Sequence, residues 1–182
     1  MVAKQPDVTG KATLSNSFLG NSKQIAFVTR DLQRTMEGLV RAGIGPWRIY
    51  TFGPDTDEDL RYRGRPASYS IRVAFAASGR MNWEIIQPLT GPSIYEEFLE
   101  KHGEGVHHVA FTLNGIPWEE QLAAFEARGY EVIQSGASWG KLRFAYFETE
   151  GDISTTAEIF DIPADFTFPA PESWYPAPPP AS

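Results

Sequence analysis

Residues 105–111 read Gly-Val-His-His-Val-Ala-Phe and hold two of the chain's three histidines. The stretch is typical of a short β-strand, in which alternate side chains point to opposite faces. A copy lies upstream, since Gln24-Ile25-Ala26-Phe27 matches His108-Val109-Ala110-Phe111. A second matching pair follows, Glu84-Ile85-Ile86 and Glu158-Ile159-Phe160. We therefore predict that the chain contains two copies of one structural unit, with a site between them.

The order of predicted elements is β-α-β-β-β in both halves. The first half has predicted strands over 24–29, 47–52, 69–77 and 81–87 and a helix over 31–42, with Asp31 as its N-cap. The second half has predicted strands over 106–113, 130–134, 142–148 and 155–160 and a helix over 117–128; a short helix, 93–102, connects the halves. The prediction is an α+β fold with two tandem βαβββ modules, which form a curved, partly open, eight-stranded barrel-like sheet with the helices outside.

The predicted organisation has four parts. An N-terminal arm covers residues 1–22, and the first βαβββ module with its connecting helix covers 23–104. The second βαβββ module covers 105–163. A proline-rich tail, 164–182, favours an extended polyproline conformation on the surface or against a neighbouring chain.

Composition excludes several kinds of protein. The formal net charge of −7 argues against a nucleic-acid partner, which would require a basic face. The absence of cysteine excludes disulfides, thiolate metal sites and cysteine nucleophiles. No apolar run approaches the length of a membrane span, and the N-terminus lacks a signal-peptide pattern. A cytoplasmic protein with no membrane partner is therefore expected.

Strand parity selects four candidate ligands. Gln24 and His108 share their strand faces with alanines, so this polar set is expected to line the concave side of the sheet. Glu84 and Glu158 lie among apolar residues, where a carboxylate is costly unless it is exposed, paired or bound to a cation. Each of the four has an ordinary structural explanation when taken alone, but their paired placement favours a divalent metal site. One imidazole and three oxygen ligands suit zinc, nickel, cobalt, manganese or iron(II). His107 is expected to face the opposite side, as a structural or exposed residue.

The region from Lys23 to Pro163 resembles the vicinal oxygen chelate superfamily, which contains glyoxalases, bleomycin-resistance proteins and dioxygenases. The segment 83–89, a short helix and the stretch 105–111 are most similar to the glyoxalase-like branch near methylmalonyl-CoA epimerase. The resemblance implies that Gln24, Glu84, His108 and Glu158 bind the metal. Most epimerase-like members have histidine at the position of Gln24, whereas some glyoxalases have glutamine.

The resemblance also implies a function, a metal-dependent isomerase, epimerase or lyase. In such enzymes a carboxylate removes a proton next to a carbonyl, and the metal stabilises the enediolate. Glu158 is the first candidate for this base, and Glu84 is the second. Glutathione is not an expected substrate, because Val28 and Pro88 replace residues that glyoxalases use to bind it.

Two alternative functions follow from the same superfamily. One is a non-catalytic protein that binds an aromatic or drug-like molecule, as bleomycin-resistance proteins do. The other is an extradiol-type dioxygenase, which Gln24 disfavours because that chemistry requires two histidines and a glutamate around iron. The expected partner is a small, anionic or aromatic molecule. Because members of the superfamily often dimerise, the resemblance also suggests a homodimer.

The segment between the second and third predicted strands is rich in charge. Arg61, Arg63 and Arg65 follow four acidic residues within Gly53–Pro66, so we expect a solvated, self-compensating polar loop. The alternative is a lid whose arginines hold an anionic substrate.

Overall fold

The computed structural model describes residues 18–113 and 115–180, so the predicted N-terminal arm lies outside the described residues except for 18–22. The helices of this part are α1 (Leu32–Arg41), α2 (Ile94–Lys101), α3 (Trp118–Glu126) and α4 (Glu150–Ile153). Its strands are β1 (Ser22–Val28), β2 (Trp47–Phe52), β3 (Asp57–Tyr62), β4 (Arg65–Pro66), β5 (Ser70–Ser78), β6 (Met81–Thr90), β7 (Gly105–Thr112), β8 (Val132–Ser138), β9 (Leu142–Phe147), β10 (Thr156–Asp161) and β11 (Ser173–Tyr175).

All described strands belong to one mixed sheet that does not close on itself. Their order is β11-β2-β5-β6-β1-β7-β10-β9-β8-β3-β4. The first strands of the two modules, β1 and β7, pair antiparallel at its centre, and each pairs parallel with the last strand of its own module. The predicted α+β fold with a curved, open sheet is therefore confirmed, but the described sheet has 11 strands and not eight, because β3, β4 and β11 add to it. This arrangement brings β6, β1, β7 and β10 side by side.

The helices cover different faces of the sheet. Asp31 caps α1 as predicted, its Oδ1 accepting a hydrogen bond from the Arg34 backbone N–H at 3.0 Å. α1 and α3 pack their apolar stripes on the convex face, in two separate clusters. The connecting helix α2 instead contributes Ile94, Tyr95 and Leu99 to the cluster on the concave side. No helix within the described ranges is long and apolar enough to cross a membrane.

The prediction of a polar loop over Gly53–Pro66 was wrong. This segment contains β3 and β4, and β3 pairs antiparallel with β8 of the second module. Asp57 and Leu60 are its buried side chains, at 9% and 7% exposure, while the charged residues between them face outward. A strand near a sheet edge tolerates such charges, which also discourage pairing with other chains. The charged residues of β3 lack the apolar alternation that would predict a strand.

The end of the chain folds back on the first module. β11 pairs antiparallel with β2, and the Glu172 carboxylate accepts a hydrogen bond from the Thr51 backbone N–H at 2.7 Å. The Tyr50 hydroxyl donates to the Pro169 carbonyl at 3.2 Å, and the Phe168 ring packs against Tyr50. The sequence predicts an extended tail, and in the structure part of it adds a strand to the sheet because these side chains provide specific contacts.

Gly136 allows β8 to approach its neighbours. A Cβ at this position would lie 2.7 Å from Leu60 Cδ2 and 2.9 Å from Phe144 Cζ, and both side chains are buried. We expect Gly136→Ala to lower the free energy of unfolding by about 1–3 kcal/mol, because the overpacking must displace β3 or β9. Urea denaturation measures this change. Gly151→Ala is the matched control, since an added Cβ there meets no atom within 4 Å; equal stability of the two variants would contradict the prediction.

Candidate metal centre

The four predicted ligands lie together on the concave face. Gln24 comes from β1, Glu84 from β6, His108 from β7 and Glu158 from β10, four adjacent strands at the centre of the sheet. The Glu84 Oε2 atom accepts a hydrogen bond from Gln24 Nε2 at 2.8 Å and lies 3.1 Å from His108 Nε2. The Glu158 Oε2 atom lies 3.1 Å from the same His108 nitrogen. The internal repeat thus brings all four side chains into one cluster.

Burial and the contacts between its members together set the charge state of this cluster. His108 is fully buried, which lowers its pKa, but the adjacent carboxylates of Glu158 and Glu84 outweigh burial and raise the pKa to about 9. Burial raises the pKa of Glu84, while its contacts with His108 oppose the rise. An imidazolium therefore compensates the charge of the two carboxylates.

The donor set fits a divalent metal ion. One nitrogen of His108 and one oxygen each of Glu84 and Glu158 lie within 4.8 Å of one another, and all three residues are buried. Two carboxylates neutralise a divalent ion, and one imidazole with carboxylates suits the transition metals. The Glu158 Oε2 atom is also buried, and its one close polar contact in the described part of the chain is with His108 Nε2, which lies 3.1 Å away and is shared with Glu84. Two buried carboxylates that share a single imidazole have further oxygen lone pairs with which to hold a cation.

Gln24 belongs to the cluster in a different way from the three ionisable residues. It contacts Glu84 through its amide nitrogen, which is a hydrogen-bond donor and not a metal ligand. Coordination through its oxygen would require the amide to turn over. In the geometry described, Gln24 holds the Glu84 carboxylate in place.

The placement of His107 differs from the prediction. β1 pairs Ala26 with His108 but Phe27 with Val106, so His107 is the extra residue of a β-bulge. Instead of facing the opposite side, it places its Nδ1 2.8 Å from Nδ1 of His108, and at 4% exposure it is a structural residue and not an exposed one. Burial, followed by the charge of His108, lowers its pKa well below the usual value, so a neutral His107 accepts the His108 Nδ1 proton. This contact leaves His108 Nε2 directed at the carboxylates, an arrangement common around metal-binding histidines.

A cavity of about 140 Å³ opens next to the cluster. Glu84 and Glu158 lie at its buried end with the rings of Tyr95 and Tyr146, while the half-buried Arg48 and other partly exposed residues line its open side. Most of its wall is aromatic or aliphatic; the remaining apolar lining residues are Phe52, Tyr69, Ile71, Val73, Phe75, Leu142, Phe144, Phe160, Ile162 and Phe168. A cavity of about 150 Å³ accommodates a benzene-sized molecule. A molecule that lies wholly within this cavity is therefore small.

Two further polar groups in the cavity were missed in the sequence. Burial raises the pKa of Asp57 to about 6, against hydrogen bonds from Ser138 and Thr56 that lower it. The Tyr69 hydroxyl is buried without a hydrogen-bond partner. Its burial raises its pKa, and the carboxylates of Asp57 and Glu158 raise it further. Asp57 lies on the strand that was mistaken for a loop, and the Tyr69 position has no distinctive pattern, so only the folded chain reveals them.

The arginine-rich segment does not form the wall of this cavity. Arg63 makes ion pairs with Glu97 at 2.6 Å and with Glu148 at 2.5 Å. Neither Arg61 nor Arg65 is among the residues that line the cavity. The geometry favours the self-compensating interpretation of these charges over a lid whose arginines hold a substrate.

Several proteins of known structure have a similar fold. The chain resembles methylmalonyl-CoA epimerase from Mycobacterium tuberculosis, with a TM-score of 0.59, 16% identity, and coverage of 82% of this chain and 93% of that one. It also resembles the hypothetical protein BH1468 from Bacillus halodurans, with a TM-score of 0.57, 18% identity, and coverage of 81% and 98%. A third similar structure is Streptomyces coelicolor methylmalonyl-CoA epimerase in complex with 2-nitronate-propionyl-CoA, with a TM-score of 0.52, 20% identity, and coverage of 80% and 99%.

Sequence comparisons identify the family. The chain is 38% identical over 78 residues to the uncharacterised protein YqjC of Bacillus subtilis (strain 168), a match that includes 41% of this chain. This chain spans about half the length of that relative, 54%. A family model matches residues 23–147, which include three of the four clustered residues and both histidines of the bulge. The chain belongs to the glyoxalase/bleomycin resistance protein/dioxygenase superfamily.

Proposed function

We propose that this protein is a divalent-metal-dependent enzyme of the glyoxalase type, an isomerase, epimerase or lyase that removes a proton next to a carbonyl of a small molecule. The observation that carries the proposal is the unequal state of two buried carboxylates. Both carboxylates lie 3.1 Å from His108 Nε2, but Glu84 Oε2 also accepts a hydrogen bond from Gln24, whereas Glu158 Oε2 has no second partner of this kind among the residues described. The cluster thus contains one carboxylate held by both Gln24 and His108 and one held by His108 alone, and the less restrained Glu158 is the better candidate for the base.

The roles of the side chains follow from this difference. Glu84, His108 and Glu158 would hold the ion, and the ion would supply Lewis-acid chemistry that favours the loss of a proton next to a carbonyl. Gln24 and His107 hold Glu84 and His108 in place. Glu158 accepts the proton, and the surrounding aromatic wall excludes water from its carboxylate.

The size of the cavity limits what reaches the carboxylates. The structural neighbours include methylmalonyl-CoA epimerases, and one of these contains a coenzyme A derivative. A space of about 140 Å³ accommodates only the reacting end of such a molecule. We therefore propose a substrate whose reacting portion is about the size of a benzene ring, whatever lies outside the cavity.

The aromatic wall supports a second candidate, a non-catalytic protein that sequesters an aromatic molecule. Pure sequestration gives no role to three buried ionisable residues beside the cavity, which carry a high cost unless they bind a cation. The proposed enzyme accounts for both the wall and the cluster. A dioxygenase is less consistent with the geometry, since His107 contacts His108 and does not supply a second imidazole to the cluster.

Titration with zinc, nickel, cobalt and manganese at several pH values tests the metal site. His108 has a pKa of about 9 in the metal-free protein, so an ion must displace its proton. We expect the affinity to increase with pH up to about 9, by at most about tenfold per pH unit. Isothermal titration calorimetry in buffers of different ionisation enthalpy measures the released proton. Failure to bind any divalent ion, or an affinity that decreases between pH 6 and 8, would reject the proposal.

A further inference from the structure

Arg48 lies on the same face of the sheet as the acidic cluster. It pairs with Phe75 across β2 and β5, and Phe75 pairs with Glu84 across β5 and β6. Residues directly opposite each other on antiparallel strands project to one face, so the three form a row on the concave side. Two strand spacings put the backbones of Arg48 and Glu84 roughly 10 Å apart. Arg48 thus lies across the cavity from the cluster, with the Phe75 ring between them.

The charge of Arg48 has no acidic partner among the described residues. Some arginines of this part of the chain make close ion pairs, as Arg34 does with Glu104 and Arg143 does with Asp161, but what distinguishes Arg48 is that it lines the cavity. Arg48 is half-buried, and its recorded side-chain contact is with the face of the Phe168 ring, 5.4 Å from the guanidinium carbon to the centroid. A cation–π contact orients the guanidinium without occupying its N–H donors. A partly buried cation with free donors in a cavity is a ready site for an anion.

We propose that Arg48 binds the carboxylate of a small anionic substrate, whose apolar body lies on the Phe75 and Phe168 rings and whose other end reaches the acidic cluster. The planar guanidinium matches a carboxylate through two parallel hydrogen bonds. The assignment of the far end rests on the proposed function, but the anion site at Arg48 does not.

The remaining charges of the cavity restrict the substrate to one anionic end. Glu84 and Glu158 at the buried end repel a second anion unless an ion neutralises them, and the Asp57 carboxyl lines the same space. The net charge of −7 also opposes nonspecific capture of anions by the protein surface. A preference for an anionic ligand would therefore report on Arg48 itself.

Binding of benzoate and benzamide to metal-free protein in EDTA tests the proposal. The two probes share a ring that fits the cavity and differ in charge. Isothermal titration calorimetry, or ligand-observed NMR for weak binding, is expected to show at least about tenfold tighter binding of benzoate, as a charged hydrogen-bond pair is worth about 1.5–3 kcal/mol. Arg48→Met retains the aliphatic stem and is expected to remove the preference. Arg48→Lys retains the positive charge but not the two parallel N–H donors of the guanidinium, so it should retain part of the preference for benzoate.

Arg72→Met is the matched control, because Arg72 is an exposed arginine on the neighbouring strand β5 whose side chain does not line the cavity. It is expected to leave the preference for benzoate unchanged. Equal affinity for the two probes, no binding of benzoate, or an unchanged preference in Arg48→Met would overturn the proposal. Because no metal is present, loss of the proposed catalytic function leaves this result unaffected, and failure of the anion site leaves the metal titration unaffected.

Discussion

Glu158→Gln is expected to slow the exchange of solvent deuterium into a substrate by about 10²–10⁴-fold, the usual contribution of a positioned general base. An amide has nearly the same shape as the carboxylate but cannot accept the proton. Its oxygen could still face the metal, so metal binding should weaken much less than exchange. The measurement is NMR detection of deuterium at the carbon next to the carbonyl, over a panel of small carboxylic acids and acyl thioesters that bind the wild-type protein.

Glu84→Gln and Glu119→Gln are the comparisons for this result. Glu119 is an exposed glutamate of α3, with 82% of its side chain accessible, so its variant should behave as the wild type. Glu84 is restrained by Gln24, so its variant should affect metal affinity more than exchange at saturating metal. Exchange that persists in Glu158→Gln and is lost in Glu84→Gln would assign the base to Glu84 and reject its assignment to Glu158.

His108→Ala should both abolish tight metal binding and destabilise the metal-free protein. The imidazolium is fully buried between Glu84 and Glu158, and its removal leaves two buried carboxylates without a counter-charge. Breaking a buried ion pair from one side costs about 3–5 kcal/mol. For a chain of this size that corresponds to a fall in Tm of roughly 6–20 °C. Thermal unfolding in EDTA, followed by circular dichroism, measures this fall.

The stability effect can be separated from simple loss of packing. Adding Glu84→Gln to His108→Ala removes one of the uncompensated charges, so the double variant should recover part of the lost stability. His102→Ala, at a half-exposed histidine that contacts Glu150, should have a small effect. If His108→Ala retains the metal affinity of the wild type, the metal centre described above is wrong.

The stability of the metal-free protein should also depend on pH through the same residue. The pKa of His108 is raised to about 9, so its contribution is fully present below the usual value of 6.5 and is lost as the pH rises through 9. Metal binding requires the deprotonated imidazole, and a bound ion replaces the lost compensation. The stabilisation by metal should therefore be larger at pH 9 than at pH 6.

The sequence by itself determined the repeat, and the repeat determined the centre of the fold. Gln24 and His108 begin equivalent strands, and Glu84 and Glu158 lie in equivalent last strands, so pairing of the two copies had to bring the four together. Strand parity was sufficient to give their common face, although the pairing of β1 with β7 is irregular next to Gln24 and His108. Local sequence pattern was reliable for these strands and helices because the residues that alternate or recur along them are those that form the core.

Only the tertiary structure decided the features that depend on register and on contacts between distant segments. The bulge that moves His107 behind His108 is a property of the pairing between β1 and β7, and it leaves no mark in the residues of β7. β3 is a strand because β8 offers it a partner, although its charged residues suggest a loop. The tail brings Phe168 onto Arg48 from 120 positions away, and that contact distinguishes this arginine from the paired ones. Hydrogen bonds to a sheet edge and contacts between remote side chains form only when both partners are folded, so one segment's sequence does not specify them.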